Sequence, residues 1–390
     1  MSQSFDFVVI GGGIAGVSIA YQLAEHGRVC LLERERQLAY HTTGRSAAIS
    51  MESYGNQHIR ALTCASRGFF EAPPTGLAST PLWSPRGALI VATHEREAQL
   101  RQRFEVVRQH VPDARWADAA EVMALAPYLA PGRWSAGIHE PGAFDLDVHA
   151  IHGAYLTGLR QRGGEVRRDC ELFGAQHRDG VWRLLCGDGS TLHARLIVNA
   201  AGSWADTCAE RCEVPAIGLQ ALRRTVLVVD PHCEVHDTPY LGTLDEDIFI
   251  KPEAGRLIVS PCDETPSAPC DAQPEELDLA ITLDRLEQTT QLRPKRIVNR
   301  WAGLRNFVAD RTPVVGADPQ QPAFVWLAAL GGYGIQTAPA LSRLCCHSAL
   351  GLPMPADLAA RGLDYAPFSP ERCRTRTFAT RRVTEVAQLH

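Results

Sequence analysis

Residues 5–33 read FDFVVIGGGIAGVSIAYQLAEHGRVCLLE, and this stretch decides the fold. A short apolar run is followed by GGGIAG at residues 11–16 and by a segment with helical spacing. A second apolar run then ends in Glu33. The order predicts strand, glycine turn, helix, strand and terminal acid, the unit that opens a doubly wound α/β domain.

Each glycine of the predicted turn has a steric role. Gly11 permits the tight turn, Gly13 lets the backbone approach a bound pyrophosphate, and Gly16 lets the helix pack closely on the strand. The helix N-terminus presents free N–H groups to phosphate, and Glu33 is placed to accept hydrogen bonds from ribose hydroxyls. The stretch therefore predicts a dinucleotide site, and both FAD and NAD fit this fingerprint.

The composition is that of an ordinary globular protein. The 390 residues are 45% hydrophobic and 21% charged, and 39 Lys and Arg stand against 44 Asp and Glu. A net charge of −5 gives no reason to expect nucleic acid or an anionic membrane as a partner. A small molecule is therefore the expected ligand. No apolar run reaches the roughly 18 residues of a membrane helix, and no signal peptide precedes the first strand. We therefore expect no membrane span and a cytoplasmic location.

The twelve cysteines do not form a metal motif. Neither Cys208 with Cys212 nor Cys345 with Cys346 has a second pair at the spacing of a zinc knuckle. We expect reduced thiols and no metal site.

Two later segments return to the nucleotide-binding pattern. Residues 192–200 predict a buried strand that runs into AGSW, and residues 323–329 predict another that delivers LGGYG to a helix N-terminus. A helix dipole aimed at a cofactor ring stabilises the negative charge of a reduced flavin, which favours FAD over NAD.

These segments predict an α/β fold with an α+β second lobe. A Rossmann-like FAD-binding domain is predicted from residues 1–81, 141–218 and 301–370, interrupted by a substrate-binding domain from residues 82–140 and 219–300. The second lobe is expected to place a mainly antiparallel sheet over the flavin. The arginine-rich residues 371–390 are expected to form a solvated C-terminal tail.

Five motifs, in this order along the chain, resemble those of one enzyme family. They are the glycine fingerprint, GRSAA at 44–48, VNAAGSW at 198–204, WAGLRNFVADRTPVVG at 301–316 and GGYGIQT at 331–337. Together they are similar to the D-amino-acid oxidase and dehydrogenase superfamily of FAD enzymes. Within it, the chain resembles the bacterial D-arginine dehydrogenase type from about residue 5 to residue 370.

The resemblance implies cofactor contacts around FAD that is held without a covalent bond. In such enzymes the small residues of HTTGRSAAIS, residues 41–50, lie along the flavin, and their arginine places a positive group near it. His41 lies near the region of covalent attachment, but nothing in the sequence favours a covalent bond. The residues implied are Gly11, Gly13, Ile14, Ala15, Gly16, Glu33, Arg34, Thr43, Gly44, Arg45, Ser46, Ala47, Ala48, Ala201, Gly202, Trp204, Gly303, Arg305, Gly331, Gly332, Tyr333, Gly334, Ile335, Gln336 and Thr337.

The resemblance also implies the substrate-binding residues. Arg305 matches the carboxylate clamp, Arg223 matches a second arginine of the covering sheet, and Tyr54 matches a tyrosine on a gating loop. Gly332 is expected to bind the substrate amine through its carbonyl. We predict that Arg305 and Arg223 converge on the flavin, while Arg224 alternates to the opposite face of its strand.

Three positions depart from the D-arginine pattern and bear on the substrate. Ile49 stands in place of a histidine, Ala88 in place of an acid, and Phe249 in place of a tyrosine. Without the acid a guanidinium tail has no partner, and an unpaired buried charge costs several kcal/mol. A D-amino acid with an apolar or aromatic side chain is therefore expected, unless a cation site is restored by one of three acids, Glu52, Glu246 or Asp247.

The expected reaction is oxidative deamination of a D-amino acid. Hydride leaves Cα for the flavin, and water hydrolyses the imino acid to a 2-oxo acid and ammonia. Two alternatives stay open: the same chemistry on glycine, an N-methyl amino acid or a 2-hydroxy acid, and a flavoprotein subunit without catalysis. The electron acceptor is open between O₂ and another acceptor, and the assembly is open between monomer and homodimer.

Overall fold

A computed structural model describes residues 3–375 of the chain. The strands are β1 Gln3–Ile10, β2 Val29–Leu32, β3 Ile49–Ser50, β4 Trp83–Pro85, β5 Ala88–Ala92, β6 Arg115–Asp118, β7 Ala136–Glu140, β8 Phe144–Leu146, β9 Glu165–Arg167, β10 Leu172–Arg178, β11 Val181–Cys186, β12 Thr191–Asn199, β13 Gln220–Val229, β14 Tyr240–Thr243, β15 Phe249–Glu253, β16 Arg256–Ser260, β17 Thr265–Ser267, β18 Ile297–Phe307, β19 Val314–Ala317 and β20 Phe324–Ala328. The helices are α1 Ile14–Leu23, α2 Gln57–Glu71, α3 Glu97–Val107, α4 Ala119–Leu125, α5 Val148–Gln161, α6 Ala205–Arg211, α7 Glu276–Thr289, α8 Gly334–Ala349 and α9 Ala356–Ala359.

An eight-stranded sheet carries the nucleotide-binding segments. β1 pairs in parallel with β2 and β12, β2 pairs in parallel with β9, and β12 pairs in parallel with β20. The hairpin β10–β11 extends the sheet in antiparallel fashion, and β19 pairs antiparallel with β20. Apolar side chains of α1, α5 and α8 pack on one face and those of α6 on the other. Burial on both faces explains why β2 and β20 are apolar throughout.

A nine-stranded, mainly antiparallel sheet forms the second lobe. Its strand order is β17-β13-β16-β15-β14-β5-β7-β6, with β18 also paired to β13, and only the β5–β14 pair is parallel. Leucines and valines of one face pack with α4 and α7. The other face carries a cluster of Val226, Phe249 and Ile258, against which Ala47 of the nucleotide-binding region packs. A small sheet of β3, β8 and β4 is separate from both.

The predicted fold class is confirmed, with a parallel nucleotide-binding sheet and a mainly antiparallel second sheet. Strands of the first sheet fall within residues 1–81, 141–218 and 301–370, and β18 spans the predicted boundary at residue 301. The division into domains stays a prediction. The buried cysteines Cys30, Cys170, Cys186, Cys208, Cys212, Cys345 and Cys346 are free thiols. Across residues 3–375 no helix combines the length and apolar character needed to cross a bilayer.

The expected tail begins later than residue 371. A 3₁₀ turn at Pro370–Thr375 places Arg372 Nε 2.9 Å from Asp310 Oδ2 and Arg374 Nη2 2.8 Å from Asp318 Oδ2. Asp318 is fully buried, so Arg374 supplies the charge that its burial requires. The expectation of solvated arginines is thus wrong for Arg372 and Arg374. Residues 376–390 lie outside the described part of the chain.

Candidate functional site

The turn after β1 has no room for side chains at two glycines. Gly11 has a φ of +108°, and a Cβ there would lie 2.4 Å from the carbonyl oxygen of Ala200. A Cβ on Gly16 would lie 1.7 Å from the carbonyl oxygen of Gly11. Since real Cβ atoms do not approach backbone oxygens so closely, α1 packs on β1 at a distance that requires glycine, as the fingerprint predicts.

Side chains from three other segments brace this turn. Glu33 accepts hydrogen bonds from Gly12 N at 2.7 Å and from Glu35 N at 2.9 Å. Thr43 Oγ1 accepts from Ile14 N at 3.0 Å, which satisfies one amide at the start of α1. His152 of α5 lies behind the turn with Nε2 2.9 Å from Gly12 O. Burial lowers the pKa of His152, so a neutral ring donates this bond.

A cavity of about 870 Å³, open mouth included, lies against the turn. The Trp204 ring on its wall lies between the guanidinium of Arg34, at 3.9 Å, and the ring of His41, at 4.6 Å. The lining includes eight predicted cofactor residues, which are Gly11, Gly13, Glu33, Arg34, Thr43, Ala201, Gly202 and Trp204.

The N-terminal end of α8 lies beside that of α1. A Cβ on Gly334 would lie 3.6 Å from Ile14 Cγ2, so the first residues of the two helices are neighbours, an arrangement that favours a bound anion. In the same segment, Gln336 Nε2 donates to Thr63 Oγ1 at 2.8 Å, and Thr337 Oγ1 donates to Tyr333 O at 2.9 Å. Each side chain uses one donor within the protein, and both are buried, so their predicted cofactor contacts stay predictions.

Arg45 ties the segment after β2 to the second lobe. Its Nη1 donates to the carbonyl oxygens of Ala272 and Ala302, both at 2.9 Å, and its Nη2 pairs with Asp271. Trp301 Nε1 donates back to Arg45 O at 3.0 Å. Three acceptors of the second lobe therefore converge on this guanidinium, and the positive group that it was expected to place beside the cofactor stays a prediction. The neighbouring Ser46 is exposed and Ala48 is buried.

Arg305 shares its face of the covering sheet with Arg224. Arg305 pairs with Leu222 across the β13–β18 ladder, and side chains alternate along a strand, so Leu222 and Arg224 lie on the Arg305 face. Arg223 lies on the other face, where its Nη2 is 3.0 Å from Asp278 Oδ2 and its Nη1 pairs with Glu275. The prediction that Arg223 converges with Arg305 is wrong. The strand register decides which arginine faces the site, and it could not be read from the β13 sequence.

The surroundings of Arg305 leave its charge available. Its Nη1 donates to Tyr54 Oη at 3.5 Å, and its guanidinium lies so near Gly332 that a Cβ there would be 2.7 Å from Arg305 Cζ. The Tyr54 ring packs on Tyr333 with ring centroids 5.2 Å apart. Burial, followed by the charge of Arg305, lowers the pKa of Arg224, as expected for two neighbouring cations. Within residues 3–375 no carboxylate forms an ion pair with Arg305.

The Tyr240 side chain interacts with the charges of both arginines. Together with Phe249 and Ile49 it forms the set that we call the apolar border. Phe249 stacks on Tyr240 with ring centroids 5.6 Å apart, and Ile49 and Tyr54 pack against a cluster that includes the buried Ala88. Cys262, which the sequence did not single out, packs in the Phe249 cluster. Its position depends on folding of the β16–β17 connection, so no local motif marks it.

The three acids considered as replacement cation sites each have another partner. Glu52 pairs with Arg67 at 3.3 Å, Glu246 lies 3.8 Å from Arg103, and Asp247 accepts a hydrogen bond from Thr243 Oγ1. Glu246 and Asp247 nevertheless interact electrostatically with Cys262, and Glu246 also with Tyr333, so a cation site formed by these acids stays a prediction.

Gly332→Ala is expected to raise KM for the substrate about tenfold. The new Cβ would displace the Arg305 guanidinium, which can move because it ends a flexible side chain, at a cost of about one hydrogen bond. Steady-state kinetics check this expectation, with flavin content as the control for folding. An unchanged KM would show that Arg305 can hold its ligand from another position.

This site defines an α/β dinucleotide-binding protein with a second lobe. Its features are the glycine turn after β1, the acid that follows β2 and the neighbouring N-terminal ends of α1 and α8. The sequence profile of FAD-dependent oxidoreductases matches residues 6–347. The chain belongs to this family, and FAD is its cofactor. The braced glycine turn and the cavity beside it fit this group, because they offer backbone amides to its pyrophosphate.

Comparison with known proteins places the chain among several activities. Mitochondrial dimethylglycine dehydrogenase of Rattus norvegicus is 25% identical over 354 residues, which are 84% of this chain and 41% of that protein. Glycine oxidase from Geobacillus kaustophilus superimposes with a TM-score of 0.83 at 20% identity, covering 97% of this chain and 100% of that chain. L-Proline dehydrogenase from P. horikoshii gives a TM-score of 0.83 at 17% identity, covering 96% and 99%.

These likenesses confirm the superfamily but not the D-arginine dehydrogenase type. At such identities the two solved structures show the fold alone. The chain spans about 40% of the length of the dimethylglycine dehydrogenases that it matches.

Proposed function

We propose that the protein oxidises a small amine or amino acid that carries a carboxylate. Arg305 carries this proposal: it is partly buried, faces Arg224 and Tyr54, and has no ion-pair partner within residues 3–375. A buried charge without a partner is costly, and a ligand carboxylate would supply the missing one. The planar guanidinium fork matches the two oxygens of a carboxylate better than any other side chain does.

The residues around Arg305 would divide the binding of such a substrate. Arg305 would hold the carboxylate. Arg224 would lie beside it, with its Nε donating to Asp263 O at 2.9 Å and its Nη2 3.5 Å from Glu264 Oε1. The carbonyl of Gly332 would accept a hydrogen bond from the amine. Bound FAD supplies the acceptor for the hydride that leaves Cα. The protein groups would hold Cα in place for this transfer, and the amine would lose a proton before or during it.

The apolar border supports a substrate with an apolar or aromatic side chain. Ile49, Phe249 and Tyr240 offer no charge to a polar tail, so a guanidinium or ammonium there would lose its hydration without compensation. A D-amino acid with an apolar or aromatic side chain is therefore the first candidate substrate.

A second candidate has no side chain on Cα. The names of glycine oxidase and dimethylglycine dehydrogenase favour glycine or an N-methyl amino acid for this chain as well. In that case the apolar border would contact N-methyl groups instead of a side chain.

Anaerobic mixing of the FAD-loaded protein with a panel of compounds tests both candidates. The panel contains D- and L-amino acids, glycine, N-methylglycine, N,N-dimethylglycine and 2-hydroxy acids, and the readout is bleaching of the visible flavin absorption. Bleaching by apolar D-amino acids alone supports the first candidate, and bleaching by the glycine derivatives supports the second. Bleaching by 2-hydroxy acids alone, or by no compound, would contradict the proposed amine oxidation. Peroxide formed on admitting air would identify O₂ as an acceptor.

A further inference from the structure

A buried carboxyl group lies directly beneath the segment that carries Tyr54. Glu140, the last residue of β7, is 3% exposed. One of its oxygens accepts a hydrogen bond from the backbone N–H of Glu52 at 2.7 Å, and the other accepts from Ser53 Oγ at 2.5 Å. Both donors belong to the two residues that precede Tyr54, so the carboxyl group fixes the chain at the entry to that residue.

The chain beyond Tyr54 is fixed separately. Asn56 caps α2 by accepting hydrogen bonds from His58 N at 3.0 Å and Ile59 N at 3.1 Å. Tyr54 itself contributes a backbone bond to Met51 O at 3.2 Å, and its hydroxyl accepts the 3.5 Å bond from Arg305. The position of Tyr54 against Arg305 therefore depends on the helix cap on one side and on Glu140 on the other.

The charge state of Glu140 governs the strength of its two bonds. Burial raises the pKa of Glu140 to about 7, and the nearby charge of Glu52 acts in the same direction, while the bonds from Ser53 and Glu52 N oppose the shift. The other groups facing this site are Cys64 of α2 and Arg67, which pairs with Glu52. Above about pH 7 the carboxylate accepts two charge-assisted bonds; below it, the neutral acid accepts weaker ones.

We propose that Glu140 is a positioning residue that acts through Glu52 and Ser53 to hold Tyr54 against Arg305. Loss of its charge loosens residues 52–54, so that Tyr54 no longer supports the arginine that faces the substrate. The anchoring itself follows from the contacts of Glu140, whereas its effect on catalysis rests on the proposed function.

Hydrogen exchange of the FAD-loaded protein tests the anchoring without any substrate. After correction for intrinsic exchange, protection of residues 52–55 in the wild type is expected to fall about tenfold between about pH 8 and about pH 6. In Glu140→Gln, an isosteric side chain without a charge, protection should be low at both pH values. Ser53→Ala should lose part of the protection and keep the pH dependence. Glu165→Gln, a change on β9 of the other sheet, should behave as the wild type.

Wild-type protection in Glu140→Gln, or a pH dependence that persists in it, would overturn the proposal. Flavin content and melting temperature establish that each variant is folded. The kinetic readout uses the compound that bleaches the flavin: its KM should rise below about pH 7 in the wild type and be high and pH-independent in Glu140→Gln, with kcat changed less. A KM profile that is unchanged in Glu140→Gln would overturn the catalytic part. Failure of the proposed function would instead appear as absence of bleaching in the wild type, with the exchange result intact.

Discussion

Arg305→Met is expected to lower kcat/KM by about 10²-fold or more, chiefly by raising KM. The change removes a charged pair between the guanidinium and the substrate carboxylate, a loss on the order of 3 kcal/mol. Methionine keeps much of the apolar volume of the side chain, so the packing against Gly332 and Tyr54 is largely retained. The rate of flavin bleaching as a function of substrate concentration measures the effect.

The neighbouring strand offers a matched control for this variant. Arg223→Met makes the same chemical change one residue away from Arg224, but on the opposite face of β13, where Arg223 binds Asp278 and Glu275. Its KM should stay within about twofold of the wild type, because its side chain lies on the face of the sheet turned away from Arg305. Its melting temperature should fall, since the largely buried Asp278 loses a partner. An equal rise of KM in both variants, or normal kinetics in Arg305→Met, would contradict the clamp assignment.

The nucleotide-binding end of the site could be predicted because its determinants are local. Gly11, Gly16 and Glu33 lie within one strand–helix–strand unit, and each acts on neighbours less than about 25 residues away, apart from the contact of Gly11 with Ala200. The steric demand of a tight turn and the position of an acid at a strand end are properties of that unit alone. The fold class and a dinucleotide cofactor follow from it, whereas the choice of FAD over NAD rests on the later glycine segment that precedes α8.

The substrate end depends on pairings that no local pattern determines. Arg223 and Arg224 are equivalent in the sequence, and only the register of β13 against β18 places Arg224 on the Arg305 face. Likewise, the acceptors for Arg45 come from residues more than 200 positions later in the chain. A family resemblance can predict the correct residue type, here arginine, but place it one position away. In a strand, a shift of one residue moves the side chain to the opposite face of the sheet.

Polar side chains that are buried by tertiary contacts form a second group of site residues that sequence patterns do not predict. Glu140 ends an ordinary strand, and His152 lies on an amphipathic helix, so both read as unremarkable positions. Each is buried against polar groups of the backbone or of a serine side chain that lie 87 to 140 residues away. Their roles appear only when the hydrogen-bond partners are known.

Gly16→Ala is expected to abolish FAD binding and to destabilise the fold by several kcal/mol. The added Cβ would lie 1.7 Å from the carbonyl oxygen of Gly11, a backbone atom that cannot rotate away as a side chain would. To make room, α1 would have to move from β1 and disturb the Gly11 turn, whose N–H donates to Leu32 O at 2.8 Å. The same movement would shift the helix N-terminus from the pyrophosphate, so stability and cofactor binding should fail together.

Gly153→Ala separates this steric effect from the general effect of replacing a helical glycine. Gly153 lies inside α5, and a Cβ there would have no neighbour within 4 Å. Since alanine favours a helix by about 1 kcal/mol over glycine, this variant should be at least as stable as the wild type and keep its FAD. Flavin absorbance per chain and thermal melting measure both variants. Full flavin content in Gly16→Ala would show that α1 can tilt without disturbing the phosphate site, and the close approach of α1 to β1 would then matter for packing alone.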